Sequence, residues 1–403
     1  MKRKWLVHRI TAGLACGAMC VSLLAAPIGA FGQTASQKKG LQGDYMLTEE
    51  GVTGHQMLLN LYLDAIDSET PTDKNYYVNG NNYYFEPSVL NAYVTRLKEA
   101  AERDIDVTLV VLMRGNAHCA AMGMMAAGPN ATDPNRLYAL NPDSDAVEAF
   151  FGIIAHDLGN SEYGAKNWIL GNEVNMPDAW NYTGTNDLET NVDLYTRTFL
   201  LLSQMLRVEG YDRYAKASIS LDHSWTDDAE GTGIAGKAFL DAFAERMKRM
   251  DPSCGWNVAY HLYAPRLEQT SSIWQEPWLS GDSEEALFIS PLNLPVLTDY
   301  VRDSFGEEHR ILLTEQGYAV SEGETVQAEA MALSFYAAEK NDMVDAVIYR
   351  SFRDEGTDQG LDLGLTNADG TPREAYEVYQ TMDGALAPEL YERCEQVLEA
   401  AGF

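Results

Sequence analysis

The chain has 403 residues, 46% of them hydrophobic, and a formal net charge of −31. That length can bury one barrel of roughly 250 residues or more, or two smaller domains. A field this negative repels nucleic acid and anionic membrane, and it argues against a polyanionic substrate unless a local basic cluster exists, of which the sequence shows none.

The first residues carry Lys2, Arg3, Lys4 and Arg9, then an apolar stretch from Thr11 to Ala26, then small residues around Ala30 and Gly32. Basic, apolar and small in that order is the pattern of a secretory signal peptide, expected to span residues 1–32 with cleavage after Ala30 or Gly32. Its apolar core falls short of the about 20 residues of a membrane span, and no later stretch is long and apolar enough to serve, so the processed chain is expected to be exported, without a membrane anchor. Losing the four basic residues takes the charge from −31 to −35. Of five cysteines, Cys119, Cys254 and Cys394 survive processing; their odd number and wide spacing suggest neither a disulfide framework nor a zinc site.

Residues 33–39 read as a short polar linker, and residues 40–403 as a single domain. Gly40 to Gln42 is a minimal first strand, followed by an abbreviated helix at Thr48 to Gly51. Gln56 to Leu63 is a clear strand with Asn60 among its apolar residues. Tyr76 to Phe85 reads as a small hairpin, because Asn79-Gly80 is a tight-turn signal. Pro87 opens a helix to about Arg103, with Val89, Leu90, Tyr93, Val94 and Leu97 at helical spacing. Asp106 to Met113 is a buried strand followed by Arg114, Asn116 and His118. A long Gly/Ala/Met/Pro loop then reaches Asn141, more than a connection needs.

A helix over Ala146 to Leu158 feeds the stretch Asn167-Trp-Ile-Leu-Gly-Asn-Glu-Val-Asn175. Its apolar run reads as a buried parallel strand, and at the C-terminal end it presents Gly171, Asn172, Glu173 and Asn175. A helix from Asn191 to Val208 precedes a strand from Ala215 to Leu221 that ends in Asp222, His223 and Trp225. After a helix from Ala238 to Met250, the strand Trp256 to Tyr263 ends in His261-Leu262-Tyr263. A loop from Leu267 to Ser290 holds Trp274 and Trp278, and Leu297 to Ser304 is helical. Arg310 to Thr314 is a strand ending in Glu315-Gln316-Gly317. A helix over Val326 to Lys340, a strand over Ala346 to Phe352 that carries Arg350, and a last helix over Pro372 to Asp383 complete the chain.

Eight strands alternating with helices imply a parallel sheet, and eight in one domain favour closure into a (β/α)8 TIM barrel. The weak first unit leaves an open barrel as the alternative. Glu173 then ends the fourth strand and Glu315 the seventh, and a barrel brings both to one mouth. Two glutamates there suit glycoside hydrolysis: a protonated acid releases the leaving oxygen while an ionised partner attacks the sugar carbon. A separation of about 5 Å would retain configuration and a wider one would admit a water and invert. Glu315 needs a donor such as Tyr263 or Arg114 to keep it ionised, whereas a nearby negative Glu315 would keep Glu173 protonated. Asn60, Arg114, His261, Tyr263 and Arg350 are candidate polar contacts for substrate. Trp180, Tyr182, Trp225, Trp274 and Trp278 follow strand ends, where aromatic rings stack on sugars.

An Asn-Glu pair ending strand four, a His-x-Tyr ending strand six and a Glu ending strand seven resemble the clan A glycoside hydrolases. More narrowly, Lys39-Gly40-Leu41-Gln42, Gly171-Asn172-Glu173-Val174-Asn175 and Tyr260-His261-Leu262-Tyr263 are similar to an uncharacterised, secreted bacterial family within or close to that clan. The resemblance spans essentially the whole processed chain. It implies Glu173 as acid/base, Glu315 as nucleophile, Asn172 as donor to the sugar 2-hydroxyl, and an equatorial, β-type bond as target, with a carbohydrate as partner and no cofactor. Clan members often end strand eight with a Trp; here Arg350 and Phe352 stand there. Two rival readings remain: a metal-dependent hydrolase using His118, His223 and His261, and a non-catalytic carbohydrate-binding barrel.

Overall fold

The computed structural model describes residues 37–210, 216–275, 283–356, 360–384 and 387–401. The expected signal peptide, residues 33–36 of the linker, and Trp278 lie outside the described residues. Eight parallel strands close into a barrel: β1 (Lys39–Gln42), β2 (Gln56–Tyr62), β5 (Asp106–Leu112), β6 (Asn167–Leu170), β7 (Lys216–Leu221), β8 (Asn257–His261), β9 (Ile311–Gln316) and β10 (Val344–Tyr349). Each strand neighbours its chain-order successor, and β10 returns to β1. This is the (β/α)8 TIM barrel that strand-helix alternation predicts.

The first strand is only four residues long, yet it pairs along its length with β10, from Lys39↔Val347 to Leu41↔Tyr349. Gly40 permits this closure, because a Cβ there would lie 2.3 Å from the Gln56 carbonyl oxygen. The remaining two strands, β3 (Asn75–Val78) and β4 (Asn81–Tyr84), form the expected hairpin. Asn79 (φ 48°) and Gly80 (φ 95°) supply the two left-handed residues that such a turn needs.

Contacts divide the chain into two compact units: Leu58–Asp222 with Asp227–Ala259, and the residues up to Met57 with His223–Thr226 and Tyr260 onward. In the first unit, β5, β6 and β7 pair in register, Val110↔Ile169 and Ile169↔Ser218 among the partners, and the helices Asp145–Leu158 and Leu188–Val208 pack on each other. Fully buried Phe150, Phe199 and Trp168 belong to its core. In the second unit, β9, β10 and β1 pair in sequence. The helix Glu324–Lys340 is buried along most of its length, consistent with its apolar residues lying all round rather than in a stripe. Beyond the expected last helix, observed at Glu374–Thr381, a further helix runs from Ala387 to Ala401. Its buried Ala387, Leu390 and Cys394 recur at helical spacing, a signal present in the sequence and missed. Among the described residues no helix is long and apolar enough to cross a membrane.

Candidate active site

In the first unit, β6 hands the chain to Gly171, whose φ of 73° suits glycine, and then to Glu173, which holds φ 41°. A left-handed glutamate is rare, and strained backbone of this kind persists where the surroundings fix it. Here they do: the Glu173 N–H donates to Ser220 Oγ (3.1 Å) and the Val174 N–H to the Ser220 carbonyl (2.9 Å). Two residues on, Asn175 is fully buried and donates to Asp222 Oδ1 (2.7 Å) and the Ile234 carbonyl (3.1 Å), while the Asp222 N–H donates back to Asn175 Oδ1. The Gly-Asn-Glu-Val-Asn turn is thus bolted to the end of β7, with Glu173 mostly buried and Asn172 half-buried.

The same unit carries an ion pair and a His–Asp hydrogen bond beyond the ends of β2 and β5. Arg114 donates to both oxygens of Asp64, with Nε 3.0 Å from Oδ2, and lies 4.3 Å over the Tyr62 ring. His118 Nδ1 lies 2.6 Å from Asp67 Oδ2, at a helix start where Asn116 accepts from the His118 and Cys119 N–H groups. Asn60 Nδ2 donates to the Tyr62 hydroxyl at 3.5 Å, and the Asn60 carbonyl accepts from Tyr93. Arg114 thus pairs with Asp64, where the sequence offered it as a donor to Glu315.

In the second unit, Glu315 is next to last in β9 and keeps 15% of its side chain exposed. Tyr263 Oη donates to Glu315 Oε1 at 2.7 Å, Arg350 donates to the same oxygen at 2.7 Å, and His261 Nε2 stands 3.9 Å from Oε2. The Leu262 N–H donates to the Glu315 carbonyl, and the Tyr318 hydroxyl to the Leu262 carbonyl, which fixes the His-Leu-Tyr segment against β9. Burial pushes the Glu315 carboxyl up, but Arg350, His261 and Tyr263 together outweigh it and hold the group below the usual carboxylate value. His223 stacks on Phe288 (5.1 Å between rings) and meets Tyr263 edge-on.

The aromatic candidates divide by exposure. Trp180 and Tyr182 are half-buried, whereas Trp225 is fully buried, donates Nε1–H to the Glu284 carbonyl and meets Tyr300 edge-on. Trp274 is 7% exposed. These two tryptophans anchor loops and have no ring face free to stack on a sugar, because packing their large apolar surface stabilises more than leaving it wet. Phe352 is likewise buried, against Tyr45 and Tyr376. Ser220 and Asp64, which hold site residues in place, went unnoticed in the sequence, and Asp222 was noted only as a strand ending: a lone Ser or Asp at a strand end has no distinguishing pattern. Among the described residues no group of three or more His, Cys, Asp or Glu is placed to hold a metal ion. Cys119, Cys254 and Cys394 are buried free thiols.

The family whose pattern the sequence matches, over residues 32–402, is described as a family of unknown function, DUF5722. The chain belongs to DUF5722. No curated protein matches this DUF5722 chain. Its structure is similar to a family 39 glycoside hydrolase from the gut symbiont Bacteroides cellulosilyticus, with 14% identity and a TM-score of 0.55 over 87% of this chain and 64% of that one. The DUF5722 chain thus spans less than two thirds of that neighbour. It is also similar to a β-glycosidase from Thermosphaera aggregans (12% identity, TM-score 0.55, 86% of each chain). A third neighbour is Cel5A of Thermotoga maritima in complex with mannotriose (11% identity, TM-score 0.52, 85% of this chain and 97% of that one). These neighbours are clan A glycoside hydrolases, the group that the strand endings resemble. At such identities the likeness is one of fold.

Proposed function

We propose that this DUF5722 chain is a secreted retaining glycoside hydrolase that cleaves β-type bonds of an oligo- or polysaccharide, with Glu315 as nucleophile and Glu173 as acid/base. The observation that carries the reading is the Glu315 carboxylate, kept ionised at a strand end by two charge-stabilising donors on a barrel of glycosidase type. Fold likeness supports a glycosidase by analogy, while the chemistry is argued from the side chains.

In the first step Glu315 attacks the anomeric carbon, and the leaving oxygen takes the bonding pair together with a proton from Glu173. In the second, water attacks the same carbon, Glu173 accepts its proton, and the bond to Glu315 breaks. Asn172 supplies a donor to the sugar 2-hydroxyl, an interaction that strengthens as positive charge develops on the ring. The left-handed Glu173 backbone, clamped by Ser220, sets the direction from which the proton arrives.

Turnover on a panel of aryl β-glycosides and oligosaccharides tests this. Glu315→Ala is expected to abolish turnover while calorimetry still shows sugar binding. Glu173→Ala is expected to lose roughly 10²–10⁴-fold on substrates with poor leaving groups and far less on dinitrophenyl glycosides, which need no proton. NMR of the first-formed anomer should show retention. Full activity in Glu315→Ala removes that residue from the mechanism, and sugar binding without cleavage by the unmodified protein favours a non-catalytic barrel.

Export is part of the proposal. It is supported by the basic, apolar and small order of residues 1–32. N-terminal sequencing of the protein recovered outside the producing cell should begin at Phe31 or Gln33; an intact Met1 there contradicts it.

A further inference from the structure

We infer that Arg350 is the positioning residue of the nucleophile: with Tyr263 it occupies Oε1 of Glu315 and thereby makes Oε2 the oxygen that bonds to sugar. The inference rests on the glycosidase reading above and extends it to the individual atoms.

The two carboxylate oxygens stand in unlike surroundings. Oε1 accepts from Arg350 and from Tyr263, each at 2.7 Å. Oε2 has His261 Nε2 at 3.9 Å, beyond hydrogen-bond reach. An oxygen bound by a guanidinium and a phenol has its lone pairs engaged and its charge neutralised, so the other oxygen is the better nucleophile. An ester formed through Oε2 also leaves Oε1 as its carbonyl, which keeps both hydrogen bonds. In the first step an Oε2 lone pair forms the bond to the anomeric carbon. In the second that pair returns to Oε2 as water bonds to the carbon and loses its proton to Glu173. Negative charge then reappears on Glu315, and Arg350 is in place to meet it before it forms, the preorganised arrangement that accelerates charge-developing steps.

Arg350 is held for this purpose. Its N–H donates to the Gln316 carbonyl at 2.8 Å, extending the β9–β10 ladder one residue beyond Tyr349 and setting it beside Glu315. Immediately after it Ser351 turns with φ 72°, its hydroxyl donating to the Arg353 carbonyl while its own carbonyl accepts from the Leu365 N–H. The guanidinium therefore starts from a backbone fixed on both sides, and its planar fork reaches a carboxylate that sits one residue back on the adjacent strand. The clan resemblance leads one to expect a flat aromatic at this strand end; this chain has a cation bound to its own nucleophile.

The test compares Arg350→Met and Arg350→Lys with the unmodified protein, each first shown to unfold cooperatively. Three readouts are taken: the ¹³C titration of the Glu315 carboxyl, assigned with Glu315→Gln; the pH profile of kcat/KM; and the burst with a dinitrophenyl glycoside. In Arg350→Met the Glu315 midpoint and the acid limb of the profile are expected to rise together. Its kcat should fall roughly 10²–10³-fold, as for loss of one charge-stabilising donor, with glycosyl-enzyme accumulating. Arg350→Lys, which keeps one cationic donor, should recover part of each effect. A trapped fluoroglycosyl intermediate should be esterified through Oε2. A folded Arg350→Met whose midpoint and acid limb stay in place overturns the inference while the glycosidase reading stands, as does an ester through Oε1. An unmodified protein that cleaves none of the glycosides overturns both.

Discussion

Glu315 and Glu329, both in the second unit, are shifted in opposite directions because their neighbours differ. Glu315 has a cation and a phenol, which keep it ionised despite burial. Glu329 lies on the helix Glu324–Lys340, 3% exposed, with its Oε1 unpartnered among the described residues. Burial, with Glu374 as a nearby like charge, pushes its carboxyl up to about 8. A carboxyl that keeps its proton on folding contributes fully below its unfolded value, about 4.3. That contribution is lost as pH rises toward 8, because the unfolded chain releases a proton that the folded chain retains. Glu329→Gln should therefore match the parent at pH 4 and exceed its stability by on the order of 5 kcal/mol by pH 8. Urea unfolding at the two pH values reads this out, and an equal change at both would contradict it. At the residue scale, Glu315 was legible because it breaks an apolar run at a strand end. Glu329 was not: a Glu inside a helix reads as solvated until the packing shows otherwise.

Elements were legible where periodicity was strong. The helix at Pro87–Ala101 begins at the expected proline, and the β3–β4 turn falls at Asn79-Gly80. What these elements pack against was not legible. Gly152, in the middle of the helix Asp145–Leu158, faces the Tyr76 ring of the hairpin so closely that a Cβ would lie 2.3 Å from Cζ. Gly152→Ala gains about 1 kcal/mol of helix propensity, but forcing a methyl into a filled space costs about 1–3 kcal/mol. A lower urea midpoint is the expected result, and a higher one would mean that the hairpin yields freely. Element boundaries moved by one to three residues: β9 extends through Glu315 to Gln316, where the polar residues had read as the start of a loop. Ladder hydrogen bonds decide where a strand ends, and they depend on the neighbouring strand.

At the scale of the whole molecule, barrel closure depends on β1, which with β6 is one of its two four-residue strands. Lys39, fully buried at the start of β1, pairs with Asp383 at 2.8 Å and lies 4.1 Å over the Tyr379 ring, while Lys38 donates to the Ala338, Glu339 and Asn341 carbonyls at the end of a helix. Both lysines had read as linker, since a Lys-Lys dipeptide next to a polar stretch gives no hint of burial. By itself the sequence determined the class of fold and the strand ends that carry Glu173 and Glu315, because alternating periodicities and interrupted apolar runs are local properties of the chain. It also determined the formal net charge of −31. Only the tertiary structure decided that Arg350 rather than Arg114 holds Glu315, and that Trp225 and Trp274 are buried anchors. It alone showed Glu173 strained on a turn fixed by Ser220. Those outcomes depend on which side chains meet across strands far apart in sequence, and no local pattern encodes such a meeting.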